Sequence, residues 1–527
     1  MNRRFLIAIG LVVVSLAFSG PTSSAQQPLT AQEIRGKQIY QQGTSPSGKD
    51  ILAYVGDASL EVPGNVMACA NCHGIAGQGK VEGGISPSNV TWEALTKPYG
   101  VAHVNGRQHP AYTARALELA VTRGLDPAGN KLLYAMPRYQ MSKEDLDDLV
   151  VYLKRLGTDV DPGITENKIV IGMAFPSAGP IGELSQAVRD VVAAAFAETN
   201  AQGGIYNRQL ELKSVAAESK AVSRADIEKL IRDEKVFALT GVMIAGVEKE
   251  IVPLLAEQQV PLVGPLTLDP KIGSPLNRQV FYVMDGAAGQ VRALLSFMAK
   301  KPESKPLTIA VVHSGGDLAA SIVDAVKDQT QKEKLATPQV VEYASGSLAP
   351  AEMVARLKQA NVTAVFFMGS APELLLLMKE AGNANWFPQI FMQSGTASPT
   401  LFDAPAEFSG KVFCTFPTAP ADQTEEGIKE FQLLGEKYKL PQKHLAAQVS
   451  AYSAAKILIE ALKRAGKDLS RERLIQALEG FYNYQTGLTP PITYGPNRRI
   501  GAMGAYIVMV DLKEKKFVPV SGWVVVN

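Results

Sequence analysis

Residues 67–74 read MACANCHG, with Cys69 and Cys72 three positions apart and His73 directly after them. Side chains at i and i+3 share one face of a helical turn. Two thiols so placed can add to the two vinyl groups of one porphyrin while the neighbouring imidazole meets the iron, and C-x-x-C-H is the spacing for haem c attachment. Other chemistry fits less well. The chain holds one further cysteine, Cys414, so no disulfide framework exists, although a Cys69–Cys72 disulfide is an alternative in an oxidising compartment. A zinc site needs four ligands, and this stretch has no second cysteine pair; His103 and His109 are six apart in loop-like sequence. A thioredoxin-type pair needs a strand before it and a helix after it. EVPGNVMA and GIAGQGK supply neither.

An iron held by His73 on one face needs a ligand on the other. LLYAMPRYQM offers Met136 beside Pro137, ahead of a helical pattern. A thioether suits an electron-transfer iron and raises its potential relative to two histidines. Met136 is the expected sixth ligand. Met141 is the next candidate, with Met67, His103 and His109 behind it.

The elements that must position these groups are legible at both ends of residues 30–156. TAQEIRGKQIYQQG is a polar helical pattern, and MSKEDLDDLVVYLKRLG a clearer one. In the latter, Ser142 precedes Asp145 by three, a variant of the capping box. Leu146, Leu149, Val150, Leu153 and Leu156 recur at helical spacing, and Gly157 stops the pattern. Glycine- and proline-rich loops with little strand signal lie between. RGKQIY, CANCHG followed by GQG, MPRY and DLVVYLKRLG together resemble the class I c-type cytochromes. The resemblance implies a small all-α domain with one covalent haem c, attached through Cys69 and Cys72, with His73 and Met136 on the iron. It also implies that the first and last helices cross where Gly36 meets an aromatic, Tyr40 or Tyr152. The stretch from His73 to Met136 is longer than in minimal members.

The chain has 527 residues, enough for two or three domains. A net charge of +2 gives no electrostatic case for nucleic acid or membrane surfaces. MNRRF, an apolar run and SSA read as a signal peptide cut near Ala25, so residues 1–25 are expected to be removed and the protein exported to the periplasm. No cysteine follows that run to carry a lipid anchor, and no later run is expected to span a membrane.

Residues 158–167 read as a polar linker between the cytochrome-like domain (30–157) and residues 168–527. Beyond it, short β-branched runs such as KIVIGMAF, VFALTGV, LTIAVVHS and TAVFFMG alternate with helical patterns. That alternation predicts parallel sheets with crossover helices, and about 360 residues of it predict two lobes. The tail, GAYIVMVDL and FVPVSGWVVV, reads as a hairpin. AFPSAGPIGELSQAVRD, NAQGGIYNRQL, DIEKLIRDEKVFALTGV and EIVPLLAEQQVPLVGP resemble the type I periplasmic solute-binding proteins of the branched-chain amino acid group. The resemblance implies a multidomain chain whose second part is a two-lobed α/β module closing on a ligand, with contacts at the carboxyl ends of strands.

Carried over position by position, that family's amino-acid contacts are missing. Its carboxylate-binding serine falls on Ala245. Its threonine falls on Leu268, with Thr267 one residue short. Its two aromatic positions fall on Leu318 and on Ser370 or Ala371, and its acid on Gly395. A zwitterion buried without matching charges loses several kcal/mol, so a cleft lined by Ala245, Leu266, Leu268, Leu318 and Gly395 is expected to take a neutral or apolar molecule, or to have lost binding. Ser177, Thr267, Ser314, Ser370 and Gln393 are the remaining polar candidates, each more often a satisfied loop group than a ligand contact. Cys414, in an apolar strand, reads as an inert thiol. His313 and His444 form no catalytic set, and HSGGD lacks the Gly-Lys-Ser/Thr ending of a phosphate loop. The expectation is an exported, non-enzymatic haem c electron carrier with a periplasmic redox partner and a small-ligand module. The alternative is a solute receptor of an ABC-type transporter with an accessory cytochrome.

Overall fold

A computed structural model describes residues 29–526 except 57, 80–86, 104–105, 180, 274–275 and 301–306. The stretch read as a signal peptide lies outside the described residues. The chain divides into two compact units, with the boundary between Asp159 and Val160.

In the first unit, the opening helix is Ala31–Gln42. The Thr30 hydroxyl accepts from the Glu33 amide at 3.2 Å and the Glu33 carboxylate accepts from the Thr30 amide at 2.6 Å, a full capping box. The closing helix is Lys143–Leu153, capped by Ser142, whose hydroxyl accepts from the Asp145 amide at 3.1 Å. All five leucine and valine positions read as its buried face are buried. The two helices cross at Gly36, where a Cβ would lie 2.0 Å from the Asp148 carbonyl oxygen and 2.7 Å from Tyr152 Cβ. The rings of Tyr40 and Tyr152 pack nearby at 5.8 Å, and Arg35 forks onto the buried Asp148 at 2.6 and 3.1 Å. The expected close approach of glycine and aromatic is present.

The expectation of an all-helical domain needs correction. Leu52–Val55 pairs antiparallel with Leu60–Pro63 on one side and with Arg138–Gln140 on the other, and Val101–Ala102 pairs with Gln108–His109. These strands are two to four residues long, and their mixed burial gives no period-two alternation in sequence. The three-stranded sheet has a positioning role: it anchors the chain immediately after Met136.

The second unit holds two sheets, as the alternation predicts. Six parallel strands form the first, in the order Ile500–Ala502, Val280–Met284, Leu262–Val263, Ala238–Thr240, Lys168–Pro176, Gln209–Ala217. The second contains Gln339–Glu342, Ile309–His313, Ala364–Met368, Gln389–Gln393 and Val412–Phe416, all parallel, and then Gly504–Asp511, antiparallel and continued by the predicted hairpin strand Lys516–Pro519. Near-continuous apolar strands, such as Ala364–Met368 with every residue buried, are what helices on both faces require. The chain passes between the lobes three times: at 285–286, at 417–424 and at Met503.

Among the described residues one helix, Leu445–Ala465, has the length and apolarity to cross a membrane, contrary to expectation. Its Ala451, Ala454, Ile457, Leu458 and Ala461 are fully buried in the core of the first lobe, which accounts for its composition.

Candidate haem site and ligand cleft

Cys69–His73 forms a short helix held at both ends by buried tyrosines. The Tyr139 hydroxyl donates to the Met67 carbonyl at 2.5 Å, and the Tyr40 hydroxyl donates to the Gly74 carbonyl at 2.7 Å. One tyrosine comes from the opening helix and the other from the strand after Met136. Cys69 and Cys72 are not joined to each other in a disulfide. Burial pushes the Cys69 thiol up to about 11, so it remains protonated at neutral pH.

His73 Nδ1 lies 2.9 Å from the Ser88 carbonyl oxygen. A carbonyl only accepts, so Nδ1 carries the hydrogen and Nε2 keeps its lone pair. Burial also lowers the pKa of this imidazole, with the Ser88 contact acting in the opposite direction, which favours the neutral ring. A neutral histidine whose second nitrogen is tied to a carbonyl is the form that ligates metals. Met136, Cys69, Met67 and Met141 all border the same apolar core. The Met136 turn is closed by its own amide, 3.0 Å from the Leu133 carbonyl. It is clamped by Arg138, whose guanidinium donates to the carbonyls of Met136 and, at 3.2 Å, Leu132. Two thiols, one oriented imidazole and a fixed thioether on one core fit a haem c. The histidines ranked behind Met136 are engaged elsewhere. His109 Nδ1 lies 2.8 Å from the Pro110 carbonyl, and His103 Nε2 lies 3.0 Å from His109 Nε2 and 2.8 Å from Arg107. The role of the Ser88 carbonyl carries no sequence signal, because any residue has one.

In the second unit, every cleft candidate follows the carboxyl end of a strand or occupies it. Ser177 follows Lys168–Pro176, Ala245 follows Ala238–Thr240, Leu266 to Leu268 follow Leu262–Val263, Ser314 and Leu318 follow Ile309–His313, Ser370 follows Ala364–Met368, and Gln393 ends its strand. The hydroxyls are largely taken. Ser177 donates to the Ala217 carbonyl at 2.8 Å. Ser370 caps the helix Ala371–Asn383 in a capping box with Glu373. Thr267 donates to the buried Glu248 carboxylate and accepts from the Asp269 amide at 2.8 Å. Ala245 is exposed, Leu268 is 52% exposed, Leu318 packs partly on the second lobe's core, and a Cβ on Gly395 would meet nothing within 4 Å. Two contacts missed in the sequence join the lobes: Lys249 to Asp317 at 2.9 Å, and Ser321, which takes Lys271 at 2.9 Å and donates to Asp269 at 3.2 Å. Cys414 is buried, its thiol pushed up to about 12, as an inert core group should be.

The periplasmic binding protein family profile matches residues 168–516, and the cytochrome c profile matches residues 64–157. A leucine-, isoleucine-, valine-, threonine- and alanine-binding protein of Pseudomonas aeruginosa is 24% identical over 316 residues, 59% of this chain and 82% of the relative. A Leu/Ile/Val-binding protein homolog of Brucella melitensis is 22% identical over 312 residues, 59% and 83% of the two chains. Among solved structures, a branched-chain amino acid ABC transporter protein from Thermus thermophilus with bound valine superposes with TM-score 0.54 at 20% identity, covering 69% of this chain and 98% of that one. A fatty acid ABC transporter substrate-binding protein from Thermomonospora curvata gives 0.53 at 20% identity, covering 69% and 94%. The chain belongs to the periplasmic binding protein family, with a cytochrome c domain ahead of its binding module.

Proposed function

We propose that this is an exported, periplasmic haem c electron carrier whose second domain takes a neutral or apolar small molecule rather than an amino acid, and that it is not an enzyme. One haem is held by Cys69 and Cys72, with His73 and Met136 on the iron. A haem c so ligated supplies a one-electron Fe(III)/Fe(II) couple. The protein's part is to fix the tautomer and orientation of His73 through the Ser88 carbonyl, to favour the neutral ring by burial, and to hold the Met136 turn through Arg138.

The observation that carries the ligand reading is the Thr267–Glu248 hydrogen bond. The one hydroxyl near the position where relatives place a donor is turned onto the protein's own buried carboxylate, while Leu268 beside it stands exposed. The fold itself leaves the ligand class open, since it is shared by proteins described with valine and with fatty acid. Native mass spectrometry of the purified holoprotein should find a neutral or apolar molecule in the large domain. Titration with leucine and valine should show no micromolar binding; micromolar binding of either rejects this reading.

The names of the curated relatives favour a second reading, a solute receptor for an ABC-type transporter with the cytochrome as an accessory. Haem reduction by a periplasmic dehydrogenase in membranes lacking any such transporter supports the carrier. Ligand delivery that needs the transporter and proceeds without haem supports the receptor.

A further inference from the structure

Tyr139 stands three residues past Met136, and its hydroxyl donates at 2.5 Å to the Met67 carbonyl, 72 residues earlier in the chain. Met67 in turn precedes Cys69 by two. The Tyr139 side chain is buried, and burial raises the pKa of its phenol, so it enters the contact as a donor. The Cys69 sulfur is also within its reach. The hydrogen bond to the carbonyl does not depend on the thiol, which haem attachment would convert to a thioether.

Both ends of this contact are themselves fixed. Tyr139 lies in the strand Arg138–Gln140 and faces the fully buried Ala53 in the antiparallel ladder. Met67 ends the turn Gly64–Met67, whose first amide donates to the Ile51 carbonyl at 2.7 Å. The Ala68 carbonyl accepts the Asn71 amide at 3.0 Å as the Cys69–His73 helix begins, so the Met67 carbonyl stands just outside that helix and turns to Tyr139. A closed circuit therefore runs from Met136 through Pro137, Arg138 and Tyr139, across to Met67, and on into the Cys69–His73 helix. Its covalent arm is short and stiff, with the ring of Pro137 fixing one dihedral and the Arg138 fork holding the Met136 and Leu132 carbonyls. Tyr40 ties the Gly74 end of the same helix to the opening helix instead.

We propose that Tyr139 is a strut that sets the separation of the two axial ligands, a positioning residue that keeps Met136 opposite the segment carrying His73. The proposal rests on His73 and Met136 as the iron ligands. A tethered ligand holds its place against a free competitor through its effective concentration, which falls when the tether can wander. Without the hydroxyl the Met67 carbonyl also loses its partner, and the Met136 turn can drift from the helix.

The test is titration of the oxidised full-length holoprotein with imidazole at about pH 8, where the probe is neutral. Displacement of Met136 is read from the loss of the methionine–iron absorption band. Tyr139→Phe keeps the ring and removes the donor, and it should bind imidazole about fivefold more tightly than the wild type, the worth of one hydrogen bond. Gly36→Ala weakens the same domain at the helix crossing and should stay within about twofold of the wild type, which separates ligand positioning from general destabilisation. Replacing Tyr139 by 4-methylphenylalanine fills the space of the hydroxyl without a donor; it should repeat the gain, and it decides the matter if Tyr139→Phe does not fold. A gain below about twofold in the variants lacking the donor, or an equal gain in Gly36→Ala, overturns the strut and leaves the ligand assignment standing. A wild type without a methionine–iron band overturns the ligand assignment, and the strut with it.

Discussion

The Nδ1 of His73 faces the carbonyl oxygen of Ser88 across 2.9 Å. This contact decides which imidazole nitrogen is available, because the other must keep its lone pair. Attachment and ligation then rest on different residues and separate experimentally. Met136→Ala should leave haem covalently bound, seen by haem staining of denatured protein, while the methionine–iron absorption band disappears and the potential falls. Cys69→Ser with Cys72→Ser should abolish covalent haem.

Gly36→Ala should destabilise the cytochrome domain by about 1–3 kcal/mol, the usual cost of overpacking. The new methyl would meet the Asp148 carbonyl at 2.0 Å, and backbone cannot move aside as a side chain tip can. Denaturant unfolding followed at the haem band should show the loss, with the transition of the binding module unchanged.

Arg138→Lys keeps the charge but removes the fork that reaches two carbonyls at once. The Met136 turn should loosen, and the methionine–iron band should be lost at lower urea concentration than in the wild type, before the domain unfolds. Gly124→Ala should act the same way, since a Cβ there would fall 1.8 Å from Arg138 Nε on a backbone at φ +65°.

Asp285 gives a pH signature. Its folded pKa, about 6, lies above the ordinary carboxyl value of 3.8, so the fold prefers the protonated form. Its stabilising contribution is complete below about pH 3.8 and is lost as pH rises through 6. Asp285→Asn should therefore melt higher than the wild type at about pH 7.5, and the gap should close on acidification toward about pH 4. A gap that widens on acidification would contradict the assignment.

What the sequence made legible follows from how locally each signal is written. The Cys69–Cys72–His73 spacing, the Met136 turn and the capped helices around Glu33 and Asp145 are local signals, and the two capped helices form where the pattern indicates. Apolar strand runs such as residues 364–368 likewise announce a two-faced sheet. The strands Leu52–Val55 and Leu60–Pro63 carry no such signal, because they are four residues long with no clean alternation. The Ser88 carbonyl was invisible because backbone acceptors have no residue type. Thr267 was visible as a polar candidate, but its partner Glu248 lies 19 residues earlier, and nothing in either residue says that they meet. The cleft positions were legible as strand ends; whether their hydroxyls were free was not.

The route of the chain through the binding module sets the order in which its parts can be completed as the chain emerges. The first lobe's edge strand, Ile500–Ala502, and its helices Glu425–Tyr438, Leu445–Ala465 and Arg471–Glu479 follow almost the whole second lobe in sequence. That lobe must wait for nearly the last residues to emerge before its sheet and helical layer close. The cytochrome core needs nothing beyond Leu156. A chain emerging amino end first therefore has every residue of the cytochrome core available while the module behind it still lacks a strand and three helices of its first lobe.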